Sequence, residues 1–454
     1  MIDADRNIPE VNRNNNMWTK GGREFKCQFG TGNDLPNERN HYWLPAVGWN
    51  QYDRMMLGIV LHNTSLPAPK FRYSLVPMYS FGRKNLSGLG DISYNPRGGK
   101  RYKSLRIGVS AMTFQYDETQ TEGIFANNPR HPNFSVIKPY VIMELGNPKH
   151  RNGFSNFIEV TGLFDWQETV TATFPWSELG GLQKTYGVRL NYFGTKRGPV
   201  SVFEYKSSFE SVDQIMDVTS KVQLEAMYTL NYIVEKKKAR SIELRGYLGK
   251  VGPLNNWITT GRGATTENMY LMLSGASGQQ DVFYDEYFRG RNSAPTFANN
   301  SWMGQYDFTT NGQQRMNNMG GMGTATFMGS RSSLTAINFS MSLPKVPAMI
   351  RVFADYASMP AVTVSSSTSA NSLAGPSQFF DAGLMIRTGF LQVSVPLFMN
   401  NDLQRTLGSL ETVGSIKQYV LPTYKQQLQR GIRFSLNIPL NSGLFLRKSL
   451  LPSI

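Results

Sequence analysis

A single cysteine in 454 residues, Cys27, leaves no partner for an intramolecular disulfide and excludes a cysteine-based metal cluster. Charge is scarce as well, since Asp, Glu, Lys and Arg together make up 17% of the chain. The hydrophobic fraction of 40% is low for a large soluble fold, so no large aliphatic core compensates for that scarcity. No apolar run approaches the roughly 20 residues of a helical membrane span. Helix signals are few; the best is VDQIMDV around Asp213, enough for one short turn. The four histidines, His41, His62, His131 and His150, never take the i, i+4 spacing that puts two zinc ligands on one helical face. Neither HExxH nor Gly-x-Ser-x-Gly is present. The N-terminal MIDADRNIPE is polar and is not a signal peptide, so an outer-membrane chain of this sequence is expected to be a mature form or a fragment.

What the chain does have is alternation. In KFRYSLVPMYSFG, residues 70–82, one set is Phe71, Tyr73, Leu75, Pro77, Tyr79 and Phe81, and the other is Arg72, Ser74, Val76, Met78 and Ser80. Period two is the signature of an extended strand with one apolar face. The same pattern returns in Leu105, Ile107, Val109 and Ala111 against Arg106, Gly108 and Ser110. It returns in Val222, Leu224, Ala226, Tyr228, Leu230 and Tyr232 against Gln223, Glu225, Thr229 and Asn231. Past the EKKKA turn, Ile242, Leu244 and Leu248 alternate with Glu243, Arg245 and Tyr247. Ile337, Phe339, Met341 and Leu343 precede a tight PKVP turn; Ile350, Val352, Ala354 and Tyr356 follow it, with Arg351 and Asp355 between them. Near the end, Ile432, Phe434, Leu436 and Ile438 alternate with Arg433, Ser435 and Asn437.

The polar sets mix small groups with long cations and acids, which suits a narrow wet interior better than a face in bulk water. Aromatics reach 12%, and Tyr42 with Trp43, Tyr79 with Phe81, and Phe114 with Tyr116 fall near strand ends, where membrane interfaces recruit them. Short connections alternate with long polar ones over 116–135, 292–320 and 363–378, as in outer-membrane barrels. The formal charge of +15 is spread singly along strands apart from Lys236, Lys237 and Lys238 in a turn, which favours an anionic membrane surface over nucleic acid. NNMGGMGTATFMG lacks the Gly-Lys-Ser/Thr ending of a phosphate loop and reads as a glycine-rich loop. Asp117 with Glu118, and Asp285 with Glu286, are adjacent, so on a strand each pair would point to opposite faces.

YWLPAVGWNQYDRMMLGIVLHNTSLP followed by KFRYSLVPMYSFGRKNLSGLGDISYN resembles the start of the C-terminal β-barrel region of gluzincin-type, aminopeptidase-like zinc metallopeptidases of Gram-negative bacteria. The family's WLP-x-x-G-x-N-x-x-D matches residues 43–53, its N-T matches Asn63 and Thr64, its F-x-Y-x-L-x-P-M-Y-x-F matches 71–81, and its G-x-x-D-x-x-Y matches 88–94. VFYDEYFRGR, FFDAGLMI and GIRFSLNI further along resemble it too, and DADRNIPEVNRNNN resembles the link from the peptidase part. The family's HExxH and third glutamate ligand have no counterpart, so peptidase chemistry is carried over to no residue. The end, NSGLFLRKSLLPSI, lacks the terminal aromatic common in such barrels and reads as a short tail.

The expectation is therefore an all-β chain forming a closed antiparallel transmembrane β-barrel of about 14 strands, within a range of roughly 12 to 16. Residues 1–40 would be a linker or periplasmic segment, 41–440 the barrel and 441–454 a tail. The barrel would sit in the bacterial outer membrane as an anchor or platform for a partner or peptidase module. Its contacts would be outer-membrane lipid, lipopolysaccharide and other outer-membrane or periplasmic proteins, without nucleic acid. No residue is assigned as catalytic, cofactor-binding or metal-ligating. The rival readings are a solute-passing barrel, the tail of a longer zinc metallopeptidase or other barrel-embedded hydrolase, and a soluble glycan-binding sandwich.

Overall fold

The computed structural model describes residues 24–30, 32–33, 38–50, 53–66, 69–96, 102–115, 132–146, 153–173, 176–214, 217–235, 238–253, 271–274, 283, 327–330, 333–359, 363–365, 377–388, 391–406, 409–413, 416–420, 423–425 and 433–436. They fall into two compact units. The first takes the described residues of Met1–Pro148 and Glu159–Tyr186, and the second those of Lys149–Ile158 and Gly187–Ser442. His131, His150, Asp117, Glu118, Asp285, Glu286 and the 292–320 loop lie outside the described residues, as do Lys236 and Lys237.

The first unit holds β1 (Glu24–Phe29), β2 (Glu38–Asn50), β3 (Arg54–His62), β4 (Phe71–Ser80), β5 (Asn85–Tyr94), β6 (Tyr102–Gln115) and β7 (Asn133–Leu145). From β2 to β7 each strand pairs antiparallel with the next. β1 is the exception and runs parallel to β2, Phe25 opposite Arg39 and Phe29 opposite Trp43. Two long strands, β8 (Phe154–Thr173) and β9 (Trp176–Arg197), contribute to both units. The second unit continues with β10 (Ser201–Gln214), β11 (Asp217–Glu235), β12 (Lys238–Pro253), β13 (Ser333–Ser342), β14 (Ile350–Met359), β15 (Ser377–Arg387), β16 (Leu391–Met399) and β17 (Arg433–Leu436), again antiparallel neighbour to neighbour. The chain is all-β, and the strands β2–β17 number 16, the upper end of the expected range.

Alternation predicts the faces. On β4, Phe71, Leu75, Pro77 and Tyr79 are exposed while Val76, Met78 and Ser80 are buried. On β11, Val222, Leu224 and Tyr228 are exposed opposite a face that carries buried Lys221. Leu244 and Leu248 on β12, Ile337 on β13, and Phe380, Leu384 and Ile386 on β15 extend the exposed apolar surface of the second unit. Arg245, Arg351, Asp355 and Asp381 lie on the covered side. This is the reverse of a soluble sandwich, whose covered face is apolar and whose wet face is charged.

Three local expectations change. The described residues of VDQIMDV are strand and not a helical turn: Val212, Asp213 and Gln214 end β10, paired with Thr219, Val218 and Asp217. Seven residues cannot nucleate a helix alone, whereas the ladder satisfies each backbone group at once. The described helix with the clearest cap is Asn401–Thr406, where the Asn400 side chain accepts the Leu403 N–H at 3.2 Å. Tyr42 is buried beside the exposed Trp43, because neighbours on a strand face opposite ways; Phe114 is buried too, and Tyr116 lies outside the described residues. The supposed loops 116–135 and 363–378 begin or end in strand, at Asn133–Leu145, Thr363–Ser365 and Ser377–Arg387.

Gly58 is where two strands approach too closely for a side chain. A Cβ there would stand 2.0 Å from the Pro77 carbonyl oxygen and 2.7 Å from Met78 Cα. Pro77 has no N–H to donate, and the pairing skips from Gly58 opposite Met78 to Leu61 opposite Leu75. Gly58→Val is expected to force β3 and β4 apart at a cost of about 1–3 kcal/mol or more, read as a lower urea midpoint in lipid vesicles.

Candidate functional site

The covered face of the second unit concentrates the chain's described charge chemistry. Lys221 of β11 reaches Glu210 of β10 at 2.7 Å, and both are buried. Arg245 of β12 donates from Nε to Glu225 at 2.7 Å and from Nη1 to the Asn338 side-chain oxygen at 2.8 Å. Asn338 in turn donates from Nδ2 to Asp355 at 2.9 Å. Glu243 takes two arginines, Arg387 at 2.8 Å and Arg351 at 3.5 Å. Arg351 also donates to the hydroxyls of Ser241, Ser342 and Ser340 at 2.9–3.0 Å. The Tyr247 hydroxyl donates to Gln223 at 3.0 Å.

Register explains the network. Arg245 lies opposite Asn338, Asn338 opposite Asp355, and Asp355 opposite Asp381, so one row crosses four strands on one face. Cross-strand neighbours about 5 Å apart are within reach of side chains of this length. What the row can do is hold rigid, fixed charge; it offers no nucleophile paired with a base.

The first unit uses its acids as staples. Asp53, fully buried, accepts from the Ser87 hydroxyl at 3.0 Å and from the Gln115 N–H at 2.9 Å, while its carbonyl accepts from the Ser80 hydroxyl at 2.9 Å. The aspartate that ends the 43–53 segment therefore ties three hairpin ends together. Asp91, the aspartate of the 88–94 segment, accepts from the Tyr140 hydroxyl at 2.9 and 3.1 Å. A Cβ at Gly108 would sit 2.6 Å from the Tyr140 ring, so the glycine leaves the space in which that ring lies.

The two described histidines stay apart from one another in role. His41 stacks on Phe25 and Tyr73 and hydrogen-bonds to the Tyr73 hydroxyl. His62 is buried, stacks on Tyr42, and accepts the Thr64 N–H on Nδ1 at 3.2 Å. Among the described residues no group of three or more His, Cys, Asp and Glu side chains converges as a metal cluster. Cys27 is exposed and free. Sequence reasoning placed Glu225, Glu243, Arg245, Arg351 and Asp355 on the polar faces of their strands, but it made no assignment for Glu210, Lys221, Asn338, Asp381 or Arg387 and had no signal for which acid meets which base.

One further feature lies against the same covered face. The Arg189 guanidinium stands 4.6 Å over the ring of Phe283, which is buried, and Leu271 packs where a side chain at Gly249 would point. Leu271 and Phe283 come from the long connection between β12 and β13.

No family model matches the sequence, and no curated protein matches it. Among solved structures, CdiB from Acinetobacter baumannii is similar with a TM-score of 0.38 and 10% identity, over 80% of this chain and 56% of that one. CdiB from Escherichia coli gives 0.37 and 12%, over 80% and 59%. BamA from Haemophilus ducreyi lacking POTRA domains 1–3 gives 0.36 and 9%, over 81% and 68%. This chain thus spans less than two thirds of either CdiB chain.

Proposed function

We propose that the chain is an outer-membrane β-barrel that anchors or presents a partner, a peptidase module being the partner its sequence resemblance suggests, and that it carries no chemistry of its own. The observation behind this reading is the exposed apolar face of both units, joined in the second to a covered face that carries the charged residues. An exposed face of Leu, Ile, Val, Phe and Tyr repeated over strand after strand is matched by hydrocarbon and not by water. Within hydrocarbon an open edge would leave N–H and C=O groups unpaired, so the reading requires a closed sheet. An even number of strands fits a bacterial single-chain barrel. β8 and β9, at 20 and 22 residues, are about twice the length that a tilted crossing needs, so this hairpin would project beyond the bilayer. In this reading 41–440 is the barrel, with 1–40 leading in and 441–454 trailing.

Leu271 and Phe283 favour the anchor over the solute-passing barrel, because they would occupy the interior that a solute needs. The expected result is recovery in the outer-membrane fraction, extraction only with detergent, and no steady conductance in planar bilayers. Soluble, monodisperse protein without detergent defeats the membrane reading. Stable ion-selective conductance keeps the membrane reading and replaces the anchor with the channel.

A further inference from the structure

Strands of the second unit alternate in direction, so its connections divide between two ends. At one end lie the connections 198–200, 236–237, 343–349 and 388–390, all short. At the other lie the long ones, 254–332, 360–376 and 400–432, together with 215–216. The short end is cationic: Lys196, Arg197, Lys345 and Arg387 are exposed there, and Arg240 is half-buried. Its turns are tied into one row. Arg240 donates to the Leu343 carbonyl, the Arg387 N–H to the Met349 carbonyl at 2.8 Å, and the Asn231 N–H to the Val200 carbonyl at 2.7 Å.

Two of these cations belong to the apolar face. Lys196 continues the exposed set Val188, Leu190 and Tyr192 of β9, and Arg240 opens the set Ile242, Leu244 and Leu248 of β12. On β12 the same set closes with exposed Lys250. Ten residue steps separate Arg240 from Lys250. At about 3.4 Å each and a tilt of about 40°, they rise about 25 Å, the height of the apolar band of an outer-membrane barrel. Just inside the cations, Tyr205 packs against exposed Tyr192 and Phe203 with ring centroids 5.5 and 6.0 Å apart, and its hydroxyl donates to that of Tyr192 at 3.2 Å. The acids nearest this end, Glu204 and Glu243, fall in the opposite set of their strands.

On the membrane reading above, we propose that this end of the second unit is a recognition surface for anionic glycerophospholipid of the phosphatidylglycerol type in the periplasmic leaflet. Short turns of outer-membrane barrels lie on the periplasmic side. Long cations that end an apolar stripe extend their charge to the headgroup phosphates, while tyrosine rings settle at the boundary just below. Each cation held at an anionic surface favours the anionic lipid by about fivefold. Lys196 and Arg240 cap the face that meets hydrocarbon, which fits a lipid better than an acidic protein approaching from the periplasm.

The test inserts the full chain into phosphatidylcholine vesicles and follows spin-labelled phosphatidylglycerol and spin-labelled phosphatidylcholine at its surface by electron spin resonance. The wild type is expected to prefer phosphatidylglycerol by about fivefold or more at low salt, and less as salt rises. Lys196→Gln combined with Lys345→Gln should lower that preference about threefold or more. Lys345→Cys in a Cys27→Ser background fixes the leaflet: a bulky maleimide polymer should label it only after the outer membrane of expressing cells is permeabilised. Labelling of intact cells overturns the proposal, as does a preference that the double variant retains. Inserted protein that takes both lipids equally also overturns it and leaves these cations to an acidic protein surface. Protein that does not enter vesicles at all defeats the membrane reading itself.

Discussion

Leu224→Arg is expected to destabilise the lipid-inserted protein by about 2–4 kcal/mol, the cost of a charge facing the bilayer midplane on a membrane barrel. Leu224 is 48% exposed in the middle of β11, between exposed Val222 and exposed Ala226. Its cross-strand partners, Ser207 on β10 and Leu248 on β12, share its face. Gln223→Arg places the same charge one residue away on the opposite face, among Tyr247, Glu225 and Arg245. There the loss is limited to the hydrogen bond from Tyr247, roughly 1 kcal/mol. Urea unfolding from lipid vesicles, followed by tryptophan fluorescence, measures both variants. Equal losses would mean that the apolar face does not meet lipid.

Glu210→Gln should be comparably severe for the opposite reason. Lys221 is 1% exposed and lies 2.7 Å from Glu210, so neutralising the acid leaves an ammonium group buried beside a neutral amide. Removing one partner of such a pair costs about 3–5 kcal/mol, much of it the desolvation of the charge left behind. The double variant Glu210→Gln with Lys221→Met should recover most of the loss, because the buried ammonium group is then removed together with the acid it faces. A cycle over the two singles and the double isolates the coupling. Additive losses would show that water reaches Lys221 and that the interior there is wet.

Much of the fold was legible because a strand's side-chain period is local. Leu105, Ile107 and Val109, or Val222, Leu224 and Tyr228, reveal their common face through spacing alone, whatever they pair with. The two-residue rule also exposes where intuition about aromatics failed: Tyr42 and Trp43 could not both sit at one interface. The 43–53, 71–81 and 88–94 segments were recognisable as strand signatures, yet nothing in them announced that Asp53 ties three hairpin ends or that Asp91 serves Tyr140. Those bonds join residues 27 to 62 positions apart, or 49 in the case of Asp91 and Tyr140.

The charged face illustrates the same division. Composition and alternation determined that Arg245, Asp355 and Arg351 lie on polar faces of β-strands, and that the exposed side is apolar. Only the tertiary structure decided that Arg245 meets Glu225 and Asn338, that Arg351 shares Glu243 with Arg387, and that Asp381 faces Asp355. A strand's faces follow from its own backbone, whereas the partner across a ladder depends on register. Register is set by pairings between segments as far apart as Arg245 and Asn338, which lie 93 positions apart along the chain.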